Sequence, residues 1–143
     1  MGCIEFTVKI DPVPKGRPRF FRMGRRMGTY TPAKTRAFES ELFDYCRRNK
    51  LIPATPLLGP VVVDLIFFIK SKHVGWAFRK PDLDNLCKTL DTFNGYFWKD
   101  DAQIVKLSAS KVYDAVEGGI YIHVQELSDG LDTVDVSKTP KKT

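Results

Sequence analysis

The sequence predicts an α+β fold: a single domain on one mixed β-sheet with two main helices, in the order β-α-β-α-β-β. Three observations lead there. Apolar and polar residues alternate with the period of a strand near both ends of the chain. A β-branched and aromatic run crosses the middle, and two segments carry apolar residues at helical spacing. At 143 residues the chain has single-domain length and should bury roughly 68–70% of its unfolded surface.

Residues Ile4–Ile10 alternate apolar and polar and read as a strand with one buried face. Pro12, Pro14, Gly16 and Pro18 then break regular structure, and the segment to Tyr30 reads as a long basic loop or hairpin. Thr31-Pro32 suits a cap followed by proline at the first helical position. Phe38, Leu42, Tyr45 and Cys46 give 32–49 a helical stripe, with Arg47, Arg48 and Lys50 at the negative end of the helix dipole. Residues 59–70 predict a central strand, and 71–81 are polar and irregular. Leu83, Leu86, Cys87, Leu90 and Phe93 predict a second helix over 83–93, stopped by Asn94-Gly95. Residues 103–113 and 119–126 alternate like the arms of a hairpin around 114–118. After Leu127 the chain lacks aromatic residues, so 1–127 is expected to form the domain and 128–143 a polar, disordered tail.

Several classes of function are disfavoured. The longest apolar run, Val61–Ile69, is interrupted by Asp64 and falls short of the ~20 residues a spanning helix needs. The first residues lack the basic flank and apolar stretch of a secretory signal. Three widely spaced cysteines, Cys3, Cys46 and Cys87, argue against a disulfide framework or a zinc site, suit a reducing cytosol, and read as buried hydrophobes. His73 and His123 lack metal-ligand spacing, and no nucleophile elbow is present. A metal here would need carboxylate ligands.

The charge is unevenly placed. Residues 1–50 hold 12 Lys and Arg against 5 Asp and Glu, whereas 51–143 are nearly balanced. Between 14 and 36 stand Lys15, Arg17, Arg19, Arg22, Arg25, Arg26, Lys34 and Arg36, with no acidic residue. Such a block suits a polyanion, because neutralising phosphates releases counterions; a merely solvated basic loop is the plain alternative.

The densest chemistry lies in Lys80-Pro81-Asp82-Leu83-Asp84-Asn85-Leu86-Cys87-Lys88 and in Trp98-Lys99-Asp100-Asp101-Ala102-Gln103. Asp82 and Asp84 flank a loop-to-helix junction where two carboxylates can converge. Lys88 follows Asp84 by one helical turn and shares its face with Asp91. Converging carboxylates are hard ligands for Mg²⁺, and a nearby lysine can hold a scissile phosphate. Helix capping by Asp82 or Asp84, and a surface ion pair for Lys88 with Asp84 or Asp91, are the simpler alternatives.

The runs KPDLDNLCK and FWKDDAQIV, with PVPKGRPRF and YTPAKT before them, resemble the RusA family of Holliday-junction resolvases, often encoded by prophages. The similarity covers roughly residues 5 to 125. The resemblance implies a Mg²⁺-dependent endonuclease, cytoplasmic and nucleoid-associated, acting as a homodimer on branched, four-way DNA without a small-molecule cofactor. Carried over, Asp82, Asp84 and Asp101 are the catalytic metal ligands, Lys88 is the catalytic lysine and Asn85 supports the ligands. Lys15, Arg17, Arg19, Lys34 and Lys80 are the expected DNA contacts. The stretch between Asp84 and Asp101 is a residue or two shorter than the family pattern, so either Asp101 or Asp100 is turned inward. A non-catalytic basic nucleic-acid-binding protein and a flap or single-strand nuclease are the alternatives. Asp64 is expected to face solvent or lie at an edge, Phe97 and Trp98 to anchor the core or a dimer contact, His73 to be exposed and His123 to be structural.

Overall fold

The structure, a computed structural model, describes residues 2–127; the expected tail, 128–143, lies outside the described residues. In chain order the strands are β1 (Cys3–Val8), β2 (Arg19–Met23), β3 (Arg26–Tyr30), β4 (Val61–Lys70), β5 (Gly75–Trp76), β6 (Ile104–Asp114) and β7 (Gly119–Glu126). Two α-helices, α1 (Ala33–Arg48) and α2 (Leu83–Cys87), stand between them. The fold is α+β with a mixed sheet, as expected.

Five strands form the main sheet in the order β1-β7-β4-β6-β5, and β2 and β3 form a separate hairpin. β4 and β6 run parallel; the other neighbours are antiparallel. The expected hairpin of 103–113 with 119–126 does not form, because β4 lies between β6 and β7. The reason lies in β4 itself. Val61, Val63, Leu65 and Phe67 are buried on one face, and Val62, Ile66 and Phe68 are half-buried on the other. A strand apolar on both faces belongs in the sheet interior, with a neighbour on each edge. The chain crosses the end of β4 at Gly118, where a Cβ would run into Asp11.

One face of the sheet carries the core. Phe6, Val8, Ile120, Ile122 and Val124 join the inward residues of β4 against Phe38, Leu42 and Cys46 of α1. Leu86, Leu90, Phe93, Phe97 and Trp98 complete the cluster. Phe97 and Trp98 are thus core residues; Phe93 and Phe97 stack with centroids 4.5 Å apart, and Trp98 meets both rings edge-on.

Three expectations change in detail. α1 starts at Ala33 with Pro32 itself at the cap position, so Thr31 does not cap it. The second helix is α-helical only to Cys87 and continues as a 3-10 helix over Lys88–Thr92. In a 3-10 helix residues three apart align, which turns Thr89 and Thr92 together into the interior, where both are buried along with Leu86 of α2. Of the cysteines, only Cys46 is fully buried, whereas Cys87 is half-buried and Cys3 is exposed at the β1 edge. Asp64 lies on a central strand but faces the open side of the sheet, its carboxylate 3.3 Å from His123 Nδ1. His73 is exposed. No described helix is long and apolar enough to cross a membrane.

Candidate active site

Pro12 to Pro18 run as an irregular arm that crosses the start of α2. Its backbone is tied at both sides: Lys15 N donates to Asn85 O at 3.4 Å, and Gly16 N donates to Thr35 Oγ1 at 3.0 Å. Between arm and helix lies a cleft of about 560 Å³, lined by Lys15, Gly16, Arg17, Pro18, Asp82, Asp84, Asn85, Lys88 and Asp91. Two of the three expected carboxylates, the asparagine and the lysine therefore share one cleft with the beginning of the basic segment.

Within it, neither aspartate acts as a cap. Asp82 occupies the cap position of α2 in an extended conformation, but its side chain makes no capping bond. Its carboxylate instead meets Lys80 Nζ at 3.2 Å. Asp84 makes no side-chain hydrogen bond or ion pair among the described residues, and neither does Lys88. Of the two ion pairs expected as alternatives for Lys88, the one with Asp91 is absent for a concrete reason: Asp91 is taken by Lys15, with Nζ to Oδ2 at 2.8 Å and Glu39 Oε1 at 3.8 Å on the other side. That hydrogen bond to Asp91, helped by the charges of Asp91 and Glu39, holds the Lys15 ammonium above its ordinary pKa of 10.5. Lys15 thus ties the arm to the helix. Burial, with the charge of Asp84 behind it, raises the Cys87 thiol and keeps it neutral.

Arg17 also borders a second hollow with Arg19, Pro32 and Lys34. The two hollows share Gly16, Arg17 and Pro18, so Arg17, Arg19 and Lys34 form a basic track leading to the carboxylates. Beyond it the β2–β3 hairpin carries Arg22, Arg25 and Arg26 in the open.

The second motif is placed differently. Asp100 caps a 3-10 turn over Asp101–Gln103, its Oδ1 accepting from Ala102 N at 2.9 Å while Gln103 Oε1 accepts from Asp100 N at 2.8 Å. Gln103 Nε2 reaches the carbonyls of Leu57 and Gly59 at 2.7 and 2.9 Å. Asp101 Oδ1 accepts from Trp98 Nε1 at 2.7 Å, and Asp101 does not line the cleft. Among the described residues no group of three or more His, Cys, Asp and Glu stands close enough to hold a metal. The donor set of the cleft still suits Mg²⁺, which takes few carboxylates and keeps water and phosphate in its other positions. Asp82 and Asp84, neither engaged in a capping bond, are the residues of the cleft that could supply it. Sequence reasoning did not assign Asp91 to the site or give Lys15 its tie, because the two partners lie far apart in the chain.

Carboxylates and a lysine under a basic arm are the equipment of a phosphodiester-cutting enzyme. The family described as endodeoxyribonuclease RusA matches residues 9–125. YqaN of Bacillus subtilis (strain 168) is 31% identical over 144 residues, covering 90% of this chain and 99% of YqaN. The crossover junction endodeoxyribonuclease rusA of Lactococcus phage r1t is 41% identical over 61 residues, 38% of this chain and 47% of the phage protein. The class is endodeoxyribonuclease. The chain belongs to the RusA family.

Proposed function

We propose that this endodeoxyribonuclease resolves four-way DNA junctions by paired nicks, in recombination and repair, as a Mg²⁺-dependent homodimer in the cytoplasm beside the nucleoid. The observation that carries the proposal is the cleft in which Lys88, without an ion-pair partner among the described residues, stands with two carboxylates that do not cap their helix. Asp82 and Asp84 are the proposed ligands, with Asn85 beside them. Asp101 is the proposed third: it lies outside the cleft here, and a role in the site requires it to turn toward the other two aspartates with the carboxylate oxygen that its bond to Trp98 does not use. A divalent cation held there supplies water activation and charge neutralisation at the phosphate. The chain's own groups position the substrate. Arg17, Arg19 and Lys34 grip the backbone along the track, Lys80 adds charge at the cleft mouth, and the Lys88 ammonium holds the scissile phosphate and meets the charge that develops on it. Lys15 serves the site by fixing the arm rather than by touching DNA.

Two nicks related by symmetry need two sites, and an isologous dimer supplies the twofold axis. The test is incubation of the purified protein with labelled four-way, flap and linear DNA, with and without Mg²⁺, beside sedimentation of the free protein. Paired nicks confined to the four-way substrate, Mg²⁺ dependence and a dimer are expected. Binding without cleavage under any divalent cation would make the chain a binding protein, and preferred cutting of flaps would make it a flap nuclease.

A further inference from the structure

The segment 70–81 leads from β4 into the active-site motif, and its burial pattern is inverted. Gly75, itself exposed and at a φ of 94°, turns the chain between Val74 and Trp76. From there Trp76 and Phe78 alternate with the buried Ala77 and share the outward side, with Val74 exposed just before the turn. Val74, Trp76 and Phe78 are 87, 72 and 79% exposed, while Ala77 is buried. An extended segment at a sheet edge ordinarily turns its polar side outward. Here it presents a row of apolar side chains.

The row is held in place. β5 pairs with β6 through Gly75–Tyr113 and Trp76–Val112, and Ala77 N donates to Lys111 O at 3.0 Å. Lys111 Nζ donates to the carbonyls of Arg79 and Pro81, both at 2.6 Å, which fixes the loop to the start of α2. Phe78 packs edge-on against Tyr113, and the Arg79 guanidinium lies 5.5 Å from the centre of the Phe78 ring.

The surroundings say what the row meets. Lys70, Lys72, Arg79 and Lys80 flank it, and no acidic residue occurs from Lys70 to Pro81. Such a frame attracts phosphate. Asp82 is four residue steps beyond Phe78, a reach of at most about 14 Å, or roughly four nucleotides of a stacked strand. Rings presented this close to the cutting site stack most readily on bases whose faces are open, as in unpaired strands or at a branch point. Inside a continuous duplex each face is stacked on a neighbour, and a step must first be unstacked. We propose that Val74, Trp76 and Phe78 form an apolar wedge that takes unstacked nucleobases beside the cleavage site, and that this wedge selects branched over continuous duplex DNA. The proposal rests on the junction-cutting function above and names the part of the surface that distinguishes the substrate.

The test measures binding of the full chain to a four-way junction, a linear duplex and a single-stranded oligonucleotide, without divalent cation. It compares wild type with Trp76→Ala, Trp76→Phe and Trp76→Ala/Phe78→Ala. All three residues are exposed, so thermal midpoints should not move. Stacking is worth roughly 5- to 150-fold in affinity per base. The double variant should lose junction and single-strand affinity by that order, with duplex affinity and its salt slope unchanged, and Trp76→Phe should retain most of the binding. Equal losses on all three DNAs, no loss on any, or conversion of a dimer to a monomer would overturn the wedge. If wild type binds junctions no better than duplex, the junction function fails by itself. The single-strand comparison then still judges the wedge: a loss there supports it and no loss overturns it.

Discussion

Asp82 stands at the start of a helix yet leaves the cap unmade, and Asp84 in the first turn has no described partner. Carboxylates left free in this way remain available to a cation. Asp82→Asn and Asp84→Asn are each expected to abolish Mg²⁺-dependent cleavage while junction binding is kept or strengthened, because each removes a ligand and a source of repulsion toward phosphate. Cleavage near the wild-type rate in either variant would remove that residue from the ligand set. Asp101→Asn separates two roles: a ligand loses cleavage with little change in thermal midpoint, whereas an anchor of Trp98 loses stability and keeps its rate. Lys88 admits an equally sharp measurement. A transition-state charge contact is worth about 2.7–4 kcal/mol, or roughly 100- to 1,000-fold in rate, and an exposed ion pair only about 0–1 kcal/mol. Lys88→Ala should therefore cut the single-turnover rate by that order without shifting the melting temperature, and Lys88→Arg should restore little. Activity within about threefold of wild type would make Lys88 a bystander. That Asp82, Asp84 and Lys88 share one cleft was legible in the sequence because they lie within two helical turns of one another, where spacing sets the geometry. The structural tasks of Asp101 and Gln103 were not legible, because they depend on Trp98 and on the 57–59 loop.

Among the elements, the arm of residues 12–18 behaves as two pieces. Lys15 is bound into the protein, and Arg17 and Arg19 are exposed beside Lys34. Replacing Arg17, Arg19 and Lys34 with Ala should weaken binding to DNA of any sequence and flatten the plot of log K against log salt by about 0.9 per lost contact; an unchanged slope would return the arm to a solvated loop. Lys15→Ala should leave the slope nearly unaltered and instead loosen the arm, seen as faster proteolysis within 12–18. Because Asp91 raises the Lys15 pKa in the folded protein, the tie is fully present below pH ~10.5 and is lost as pH rises through that raised value. Protection of the arm from proteolysis should fall in that alkaline range and stay flat between pH 6 and 9. The helices were legible from their stripes, and 119–126 was placed to the residue. The change to 3-10 geometry after Cys87 was not, since both helical forms bury Leu86, Leu90 and Phe93.

At the scale of the whole molecule, composition and element order were enough to fix the class of fold, and the neighbour relations of the strands were not. Alternation along 103–113 and 119–126 is the same whether the two strands pair or stand apart. What separates them is β4, whose second apolar face claims a partner on either side. Where β7 ends up has a bearing on how the protein comes into being. β7 is the last described strand to leave the ribosome, yet it sits between β1 and β4, with Ile4 opposite Val124 and Val63 opposite the same residue. Until it arrives, β1 has no neighbour in the sheet, and Ile120, Ile122 and Val124 are missing from the core that α1 joins. Asp82 and Asp84 are synthesised well before the strand that completes the sheet. The sheet of this endodeoxyribonuclease is thereby completed late, after nearly all of the described chain has been made.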